Sequence, residues 1–190
     1  MSSHCLKKYF ADLSSIFATI DTQEFDQLVQ ELNTGYENRS TIFVFGNGGS
    51  ASTVSHVACD INKGASYGKN KRFKILCLND NIPTMLAYAN DVSYDDVFAE
   101  QLKNFMAKDD VVIGISGSGN SKNVLKAIEY ANSHGGRTFG ICGYGGGILK
   151  QVAHKSLVIR SNDMQKVEDS HLIILHCIMQ YFNVQYHANQ

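Results

Sequence analysis

Five short and almost uninterrupted apolar runs most restrict the fold that this chain can adopt. They are TIFVFG (41–46), FKILCL (73–78), DVVIGI (110–115), RTFGIC (137–142) and SLVI (156–159). A strand that is covered on both faces needs apolar residues at nearly every position, as strands of parallel sheets do. Segments with helical periodicity lie between these runs, at 49–62, 95–106 and 121–134. This alternation predicts an α/β fold with a five-stranded parallel, doubly wound sheet flanked by helices.

Helical segments extend the predicted core at both ends. Residues 4–38 have the pattern of two helices, and residues 165–186 that of one long C-terminal helix containing HLIILHCIMQYF. Helices this apolar are seldom left in water, so we expect them to pack partly against other subunits. We predict a single domain over 1–190, with an N-terminal helical extension at 1–38 and the α/β core and final helix at 39–186.

The charge balance and the cysteines indicate where such a protein works. With 17 basic and 18 acidic residues the net charge is −1, which gives no broad positive field for nucleic acid or an anionic membrane. The five cysteines are widely spaced and form no CxxC pair, as in proteins of a reducing compartment. The start, MSSHCLKKYFADL, lacks the apolar run of a signal peptide, and no run approaches the ~18 residues of a membrane span. We expect a cytoplasmic protein with no nucleic acid or membrane partner.

Two glycine-rich segments each follow a predicted strand and lead into a predicted helix. They are FGNGGSAST at 45–53, the first turn, and GISGSGNSKN at 114–123, the second turn. Ligands of doubly wound sheets bind at the carboxyl ends of strands, where free N–H groups of helix N-termini favour phosphate. The candidate binding residues are Asn47, Gly48, Gly49, Ser50, Ser116, Gly117, Ser118, Asn120 and Ser121. The same residue types are also ordinary caps and turn formers.

Two sequence patterns of nucleotide-binding proteins fit these turns less well than a simple phosphate site does. Neither turn matches GxxxxGK[ST], the pattern of an NTP-binding loop. GNGGSA departs from GxGxxG, so a dinucleotide site is the weaker alternative to a phosphate site.

Four polar residues near the first turn and on the last helix form a candidate acid–base and metal set. His56 and Asp60 are four residues apart and share one helical face, and Glu168 and His176 are eight apart, roughly 80° around the helix axis. Two histidines and two carboxylates suit a divalent metal, with zinc as first choice, and they suit proton transfer. Each residue taken singly also has a structural interpretation, such as a surface ion pair or a core histidine.

The chain resembles the SIS (sugar isomerase) domain family over about residues 35–182, and within it the phosphoheptose isomerases. The resemblance rests on four blocks in order: the two turns, AYANDVSYDDVFAEQL (87–102) and VEDSHLIILHCIM (167–179). It implies a flavodoxin-like three-layer sandwich and a phosphosugar substrate. It also implies that Ser116, Ser118 and Ser121 hold the sugar phosphate, and that Asn47 and Ser50 contact the polyol chain.

The resemblance further assigns the chemistry. Asp60 would be the catalytic base and His176 its acid partner, with Asp91 as a further substrate contact. Glu168 would contact the substrate and, with His56, Asp60 and His176, would bind zinc. The implied reaction converts sedoheptulose 7-phosphate to D-glycero-D-manno-heptose 7-phosphate through an enediol(ate), in bacterial heptose synthesis for lipopolysaccharide or capsule. The family also implies a homotetramer with sites at subunit interfaces, where Glu168 and His176 would meet Asp60 from another subunit.

The sequence departs from the family pattern at several of these positions. Asp60 stands where the family has Glu, Glu168 where it has Gln, and Gly117 where it often has Thr. Three functions therefore stay open: the heptose phosphate isomerase, an isomerase of another phosphosugar, and a non-catalytic scaffold that binds a replication-initiator protein. A carboxylate at 60 together with His176 favours an enzyme.

Overall fold

The computed structural model describes residues 2–187 and contains a five-stranded parallel sheet between two helical layers. The strands are β1 (Ile42–Gly46), β2 (Ile75–Cys77), β3 (Val111–Ser116), β4 (Arg137–Gly143) and β5 (Lys155–Ile159). Their spatial order is β2-β1-β3-β4-β5, and every neighbouring pair is parallel. This is the flavodoxin-like order, so the predicted doubly wound α/β fold is confirmed.

Helices connect and flank the strands. They are α1 (Ser2–Phe17), α2 (Thr22–Asn38), α3 (Gly49–Cys59), α4 (Ile82–Asp91), α5 (Val97–Phe105), α6 (Lys122–Ser133), α7 (Leu149–Val152) and α8 (Met164–His187). A π-helix, Asp60–Ala65, continues α3, and a short 3-10 helix, Tyr94–Asp96, precedes α5. Side-chain caps fix two of the helix starts, because Asp21 accepts the N–H groups of Gln23 and Glu24, and Asn81 that of Thr84.

The alternating side chains of β1 explain why the strand sequences are continuously apolar. Ile42 and Val44 belong to the buried cluster that includes residues of α2, α3 and α8. Phe43 and Phe45 belong to the cluster on the opposite face, with residues of α5 and α6. The ring of Phe45 stacks on that of Phe98 with centroids 4.9 Å apart. Both faces of the sheet are therefore covered, as the sequence predicts.

The strand order places both glycine-rich turns side by side. The chain leaves β1 toward β2 on one side, and β3 lies on the other side of β1, so the order reverses between β1 and β3. Gly46 at the end of β1 lies in register with Ile115 of β3. The first and second turns thus begin next to each other, at the point where ligands of such sheets bind.

The terminal helices pack against the core but leave apolar surface open. Leu28 and Leu32 of α2 are fully buried, whereas Leu6 and Phe10 of α1 are 57% and 58% exposed. On α8, Val184 is 71% exposed. The packing of these faces against other subunits stays a prediction, as does the division into 1–38 and 39–186. Within residues 2–187, no helix has the length and apolarity needed to span a membrane.

Candidate active site

A small cavity lies at the carboxyl ends of β1 and β3, between the two turns. Its volume is about 130 Å³, and its walls are polar along the second turn and at Asn47, Ser50 and Glu168. The lining residues are Asn47, Ser50, Ile115, Ser116, Gly117, Ser118, Ser121, Met164 and Glu168. The structure therefore brings together most of the residues predicted to bind substrate.

The second turn presents hydroxyl groups to this cavity. Ser116 Oγ and Ser121 Oγ are 3.0 Å apart. Ser121 occupies the N-cap position of α6, yet its side chain makes no capping hydrogen bond. Because the first-turn N–H groups of a helix and hydroxyl groups both bind anions, this turn has the chemistry that a phosphate site needs, and phosphate binding there stays a prediction.

Asn120 shapes the second turn from within. Its Nδ2 donates to the carbonyl oxygen of Ser118, and its Oδ1 accepts the backbone N–H of Ile148. The side chain thus links the turn to the 143–148 loop. Its predicted contact with substrate stays a prediction.

The first turn meets the start of α8. Gly48 has a φ of +54°, and α3 begins at Gly49. The carboxylate of Glu168 lies against Gly49, so closely that a Cβ at Gly49 would overlap it. A carboxylate at a helix N-terminus is favoured by the helix dipole. Glu168 therefore contributes hydrogen-bond acceptors to the cavity wall.

Three of the predicted acid–base and metal residues converge on one point. His56 Nε2 and His176 Nε2 are 2.9 Å apart, and each lies 3.4 Å from Asp60 Oδ2. The side chains of His56, Asp60 and His176 are 52%, 24% and 38% exposed, so a ligand can reach them. The i,i+4 geometry of His56 and Asp60 places both on the side of α3 that faces α8.

The helices α3 and α8 determine where this group lies. Glu168 meets Gly49 near the start of both helices, and His176 meets His56 further along, so the helices run side by side in the same direction. The helix changes to π geometry at Asp60, and such local changes are frequent at functional sites.

The meeting of Asp60 and His176 occurs within a single chain. We expected these residues to meet across a subunit interface, and for this pair that expectation is wrong. The reason is that α8 packs directly beside α3 and its π-helical continuation.

The donor set fits a divalent ion such as zinc. Two imidazole nitrogens and one carboxylate oxygen, all within 4.8 Å of one another, are a usual zinc ligand set. The two 3.4 Å separations match the roughly 3.3 Å between tetrahedral ligands that each lie about 2.05 Å from zinc, whereas the two imidazole nitrogens, 2.9 Å apart, lie closer than that. The carboxylate of Glu168 lies at Gly49 instead, so its membership of a metal shell stays a prediction.

Two other predicted residues lie outside the group that lines the cavity. Asp91 is exposed at the end of α4, where it accepts a hydrogen bond from Asn90 Nδ2. Gly48 is exposed in the first turn. Their contacts with substrate stay predictions.

Sequence reasoning missed Met164. This residue begins α8 and lines the cavity beside Gly117, where a Cβ would come within 2.5 Å of its Sδ. Met164 thus fills the space that a threonine side chain would need at position 117, which gives a structural reason for that departure from the family pattern. No signal in the sequence connects two residues this far apart.

Comparison with known proteins identifies the class of this chain. The family model described as SIS domain matches residues 8–143. The phosphoheptose isomerase of Helicobacter pylori (strain HPAG1) is 39% identical over 150 residues, which cover 77% of this chain and 78% of that protein. That of strain P12 is 34% identical over 182 residues, which cover 93% and 94%.

Among solved structures, the phosphoheptose isomerase GmhA from Neisseria gonorrhoeae has the same fold. Its TM-score is 0.88 at 22% identity, over 97% of this chain and 100% of that one. The chain therefore belongs to the SIS domain family. Within this family it groups with the phosphoheptose isomerases, and it is an enzyme of the phosphosugar isomerase class.

Proposed function

We propose that this enzyme interconverts sedoheptulose 7-phosphate and D-glycero-D-manno-heptose 7-phosphate. The observation that carries the proposal is the convergence of Asp60, His56 and His176 on the helix that follows a cavity lined by four serines and on α8 beside it. A scaffold has no need of such a group, because binding a protein partner requires no proton transfer. The relatives named phosphoheptose isomerase support the choice of a seven-carbon sugar.

The distance between the cavity and the group formed by His56, Asp60 and His176 suits a sugar of this length. Eight residues of α8 separate Glu168 at the cavity from His176, a distance of about 12 Å at 1.5 Å per residue. With carbon–carbon bonds of about 1.5 Å, an extended seven-carbon chain with a terminal phosphate spans roughly 10 Å. A phosphate held by the second turn would therefore let the first carbons of the sugar reach toward Asp60.

In this proposal the second turn anchors the phosphate. Ser116, Ser118 and Ser121 donate hydroxyl hydrogen bonds, and the N-terminus of α6 adds backbone N–H groups and its positive dipole end. Asn47, Ser50 and Glu168 hold the polyol chain in its open form. Fixing the sugar at both ends lowers the entropic part of the barrier.

Proton transfer is assigned to Asp60 and His176. The carboxylate of Asp60 removes a proton from C1 of the ketose to give an enediol(ate), and a proton returned to C2 completes the aldose. His176 moves the hydroxyl proton from the oxygen on C1 to the oxygen on C2. A carboxylate and a histidine are the usual partners for such steps.

His56, Asp60 and His176 would hold a divalent ion, with zinc the first choice and Glu168 as a further proposed ligand. When bound, the ion would offset the negative charge that develops on the sugar oxygens.

We also propose a homotetrameric, cytoplasmic enzyme whose product enters heptose synthesis for lipopolysaccharide or related glycans. Apolar side chains left exposed on the terminal helices support subunit contacts there. They are Leu6, Phe10, Ile173, Tyr181 and Val184.

The test is a turnover assay with defined metal content. Purified protein, zinc-loaded or chelated, is incubated with sedoheptulose 7-phosphate, and the aldose product is followed by NMR. Asp60→Asn and His176→Ala should each lower kcat by about 10²–10⁴-fold, the usual contribution of an acid or base. His4→Ala, which changes an exposed histidine of α1, serves as the matched control and should leave kcat unchanged. Absence of turnover by folded, zinc-loaded wild-type protein would exclude this substrate.

A further inference from the structure

The side-chain amide of Asn47, in the first turn, is held by two other residues. Its Nδ2 donates to Asn123 Oδ1 at 2.8 Å, and its Oδ1 accepts from Asn123 Nδ2 at 2.9 Å. Its Oδ1 also accepts the hydroxyl of Tyr94 at 2.9 Å. An amide has two N–H donors and two acceptor sites on oxygen, so these bonds use all but one N–H. Among the described residues, that remaining N–H has no acceptor.

The orientation of Asn123 is determined by the backbone of α6. Its Oδ1 accepts the N–H of Val124 at 2.9 Å. If the oxygen and nitrogen of the Asn123 amide were exchanged, Nδ2 would face the N–H of Val124, and two donors would meet. The backbone therefore determines the orientation of this amide. Asn123 is buried, with 2% of its surface exposed, and it does not line the cavity. Its polar atoms are therefore directed at Asn47 and Val124, not at a ligand.

This bond to Val124 also affects the second turn. Val124 is the third residue of α6, and its N–H is one that the N-cap side chain usually accepts. The N-cap residue is Ser121, whose hydroxyl lies 3.0 Å from that of Ser116 and makes no cap. Because Asn123 supplies the acceptor, Ser121 keeps its hydroxyl at the cavity.

We propose that Asn123 is a positioning residue that sets both halves of the site. It keeps Ser121 available to a phosphate, and with Tyr94 it fixes Asn47 so that a single N–H is left for the substrate. The group that meets Asn47 is accordingly a hydrogen-bond acceptor, such as a sugar carbonyl or hydroxyl oxygen. The inference has two halves. The sugar half, which concerns Asn47, rests on the proposed function, and the phosphate half, which concerns Ser121, does not depend on it.

The sugar half is tested by a double-mutant cycle in the zinc-loaded enzyme with sedoheptulose 7-phosphate. Asn47→Ala should lower kcat/KM by about 10–100-fold. Asn123→Ala should lower it by about 3–10-fold more than that, because it also turns Ser121 away from the cavity, and in the Asn47→Ala background it should cause only that 3–10-fold loss. Tyr94→Phe alters an exposed residue and removes one hydroxyl. It should lower kcat/KM by about 2–5-fold in the wild type and not at all in Asn47→Ala. Multiplicative losses in both cycles would overturn this half.

The phosphate half is tested with inorganic phosphate, whose affinity is measured by calorimetry and needs no turnover. Asn123→Ala should weaken phosphate binding by about 3–10-fold, because Ser121 turns to cap Val124, whereas Asn47→Ala should leave it within about twofold. Equal affinity in Asn123→Ala and wild type would overturn this half. If the wild type binds phosphate but does not convert the heptulose phosphate, the proposed substrate fails while the phosphate comparison still decides the role of Asn123. If Asn123→Ala does not fold, the Tyr94→Phe cycle decides the sugar half. Asn123→Leu, which is of similar size and also lacks the acceptor for Val124, then replaces it in the phosphate comparison with the same expected loss.

Discussion

The close approach of Gly119 in the second turn to the 143–148 loop gives a prediction with a magnitude. Gly119 has a φ of +69°, and a methyl group there would overlap the carbonyl oxygen of Gly146 and come within 3.0 Å of the Cα of Gly147. Both contacts are with main-chain atoms, so no change of side-chain rotamer can relieve them. Gly119→Ala must therefore move one of the two loops.

Two effects contribute to the loss of unfolding free energy in Gly119→Ala. A residue with a Cβ pays about 1–2 kcal/mol in the left-handed region, and forcing extra volume into packed structure costs about 1–3 kcal/mol. We expect Gly119→Ala to lower the free energy of unfolding by about 2–5 kcal/mol. The displaced turn also carries the hydrogen bond from Leu149 N–H to the carbonyl oxygen of Gly119, so KM for the phosphosugar should rise.

Gly68→Ala is the matched control. Gly68 has a φ of +75°, and among the described residues no atom lies within 4 Å of a Cβ placed there. This variant should lose only the 1–2 kcal/mol or so of backbone strain and keep its KM. Urea-induced unfolding followed by circular dichroism measures both variants. Equal losses of unfolding free energy would refute the argument from the close approach of the two loops.

Two further predictions concern pH and stability, both measured by urea unfolding. Burial acts to raise the pKa of Glu31, but hydrogen bonds from Arg137 and Lys155 outweigh it and hold that pKa below 4.5. Its stabilisation is complete above pH 4.5 and is lost as pH falls, so Glu31→Gln should cost about 2–3 kcal/mol at pH 7 and less at pH 3; a pH-independent cost would contradict this. Burial lowers the pKa of His171 to about 4, against a bond to the Cys142 carbonyl that acts to raise it. Below pH 6.5 the unfolded chain therefore binds a proton at this histidine and the native chain does not. This difference should lower the free energy of unfolding by about 3 kcal/mol between pH 7 and pH 4, and His171→Gln should abolish that decrease.

The strands were predictable from the sequence because burial on both faces leaves an uninterrupted apolar run. The predicted run 110–115 overlaps β3 (Val111–Ser116) almost completely, and 137–142 overlaps β4 (Arg137–Gly143) equally well. Helix α4 was not predicted. It has no buried residues, and its apolar residues Ile82 and Leu86 are 64% exposed, so it lacks the one-sided pattern that marks a core helix.

The candidate site was predictable where local spacing decides the geometry. The four-residue spacing of His56 and Asp60 predicts their shared face, and the structure confirms it. The pairing of Asn47 with Asn123, 76 residues apart, depends on the reversal of strand order between β1 and β3. The π-helix that begins at Asp60 packs against α8, a long-range contact that no local pattern in the sequence encodes.

The central claim is that Asp60 transfers a proton from C1 to C2 of the heptulose phosphate. The most direct measurement is conversion of sedoheptulose 7-phosphate in D₂O by the zinc-loaded enzyme, with deuterium at C2 of the aldose read by NMR. A carboxylate that holds the proton between the two steps can exchange it with solvent, so we predict aldose that carries deuterium at C2, formed by the wild type and not by Asp60→Asn. Deuterium at C2 formed as fast by Asp60→Asn as by the wild type, or equal turnover by Asp60→Asn, would contradict the account.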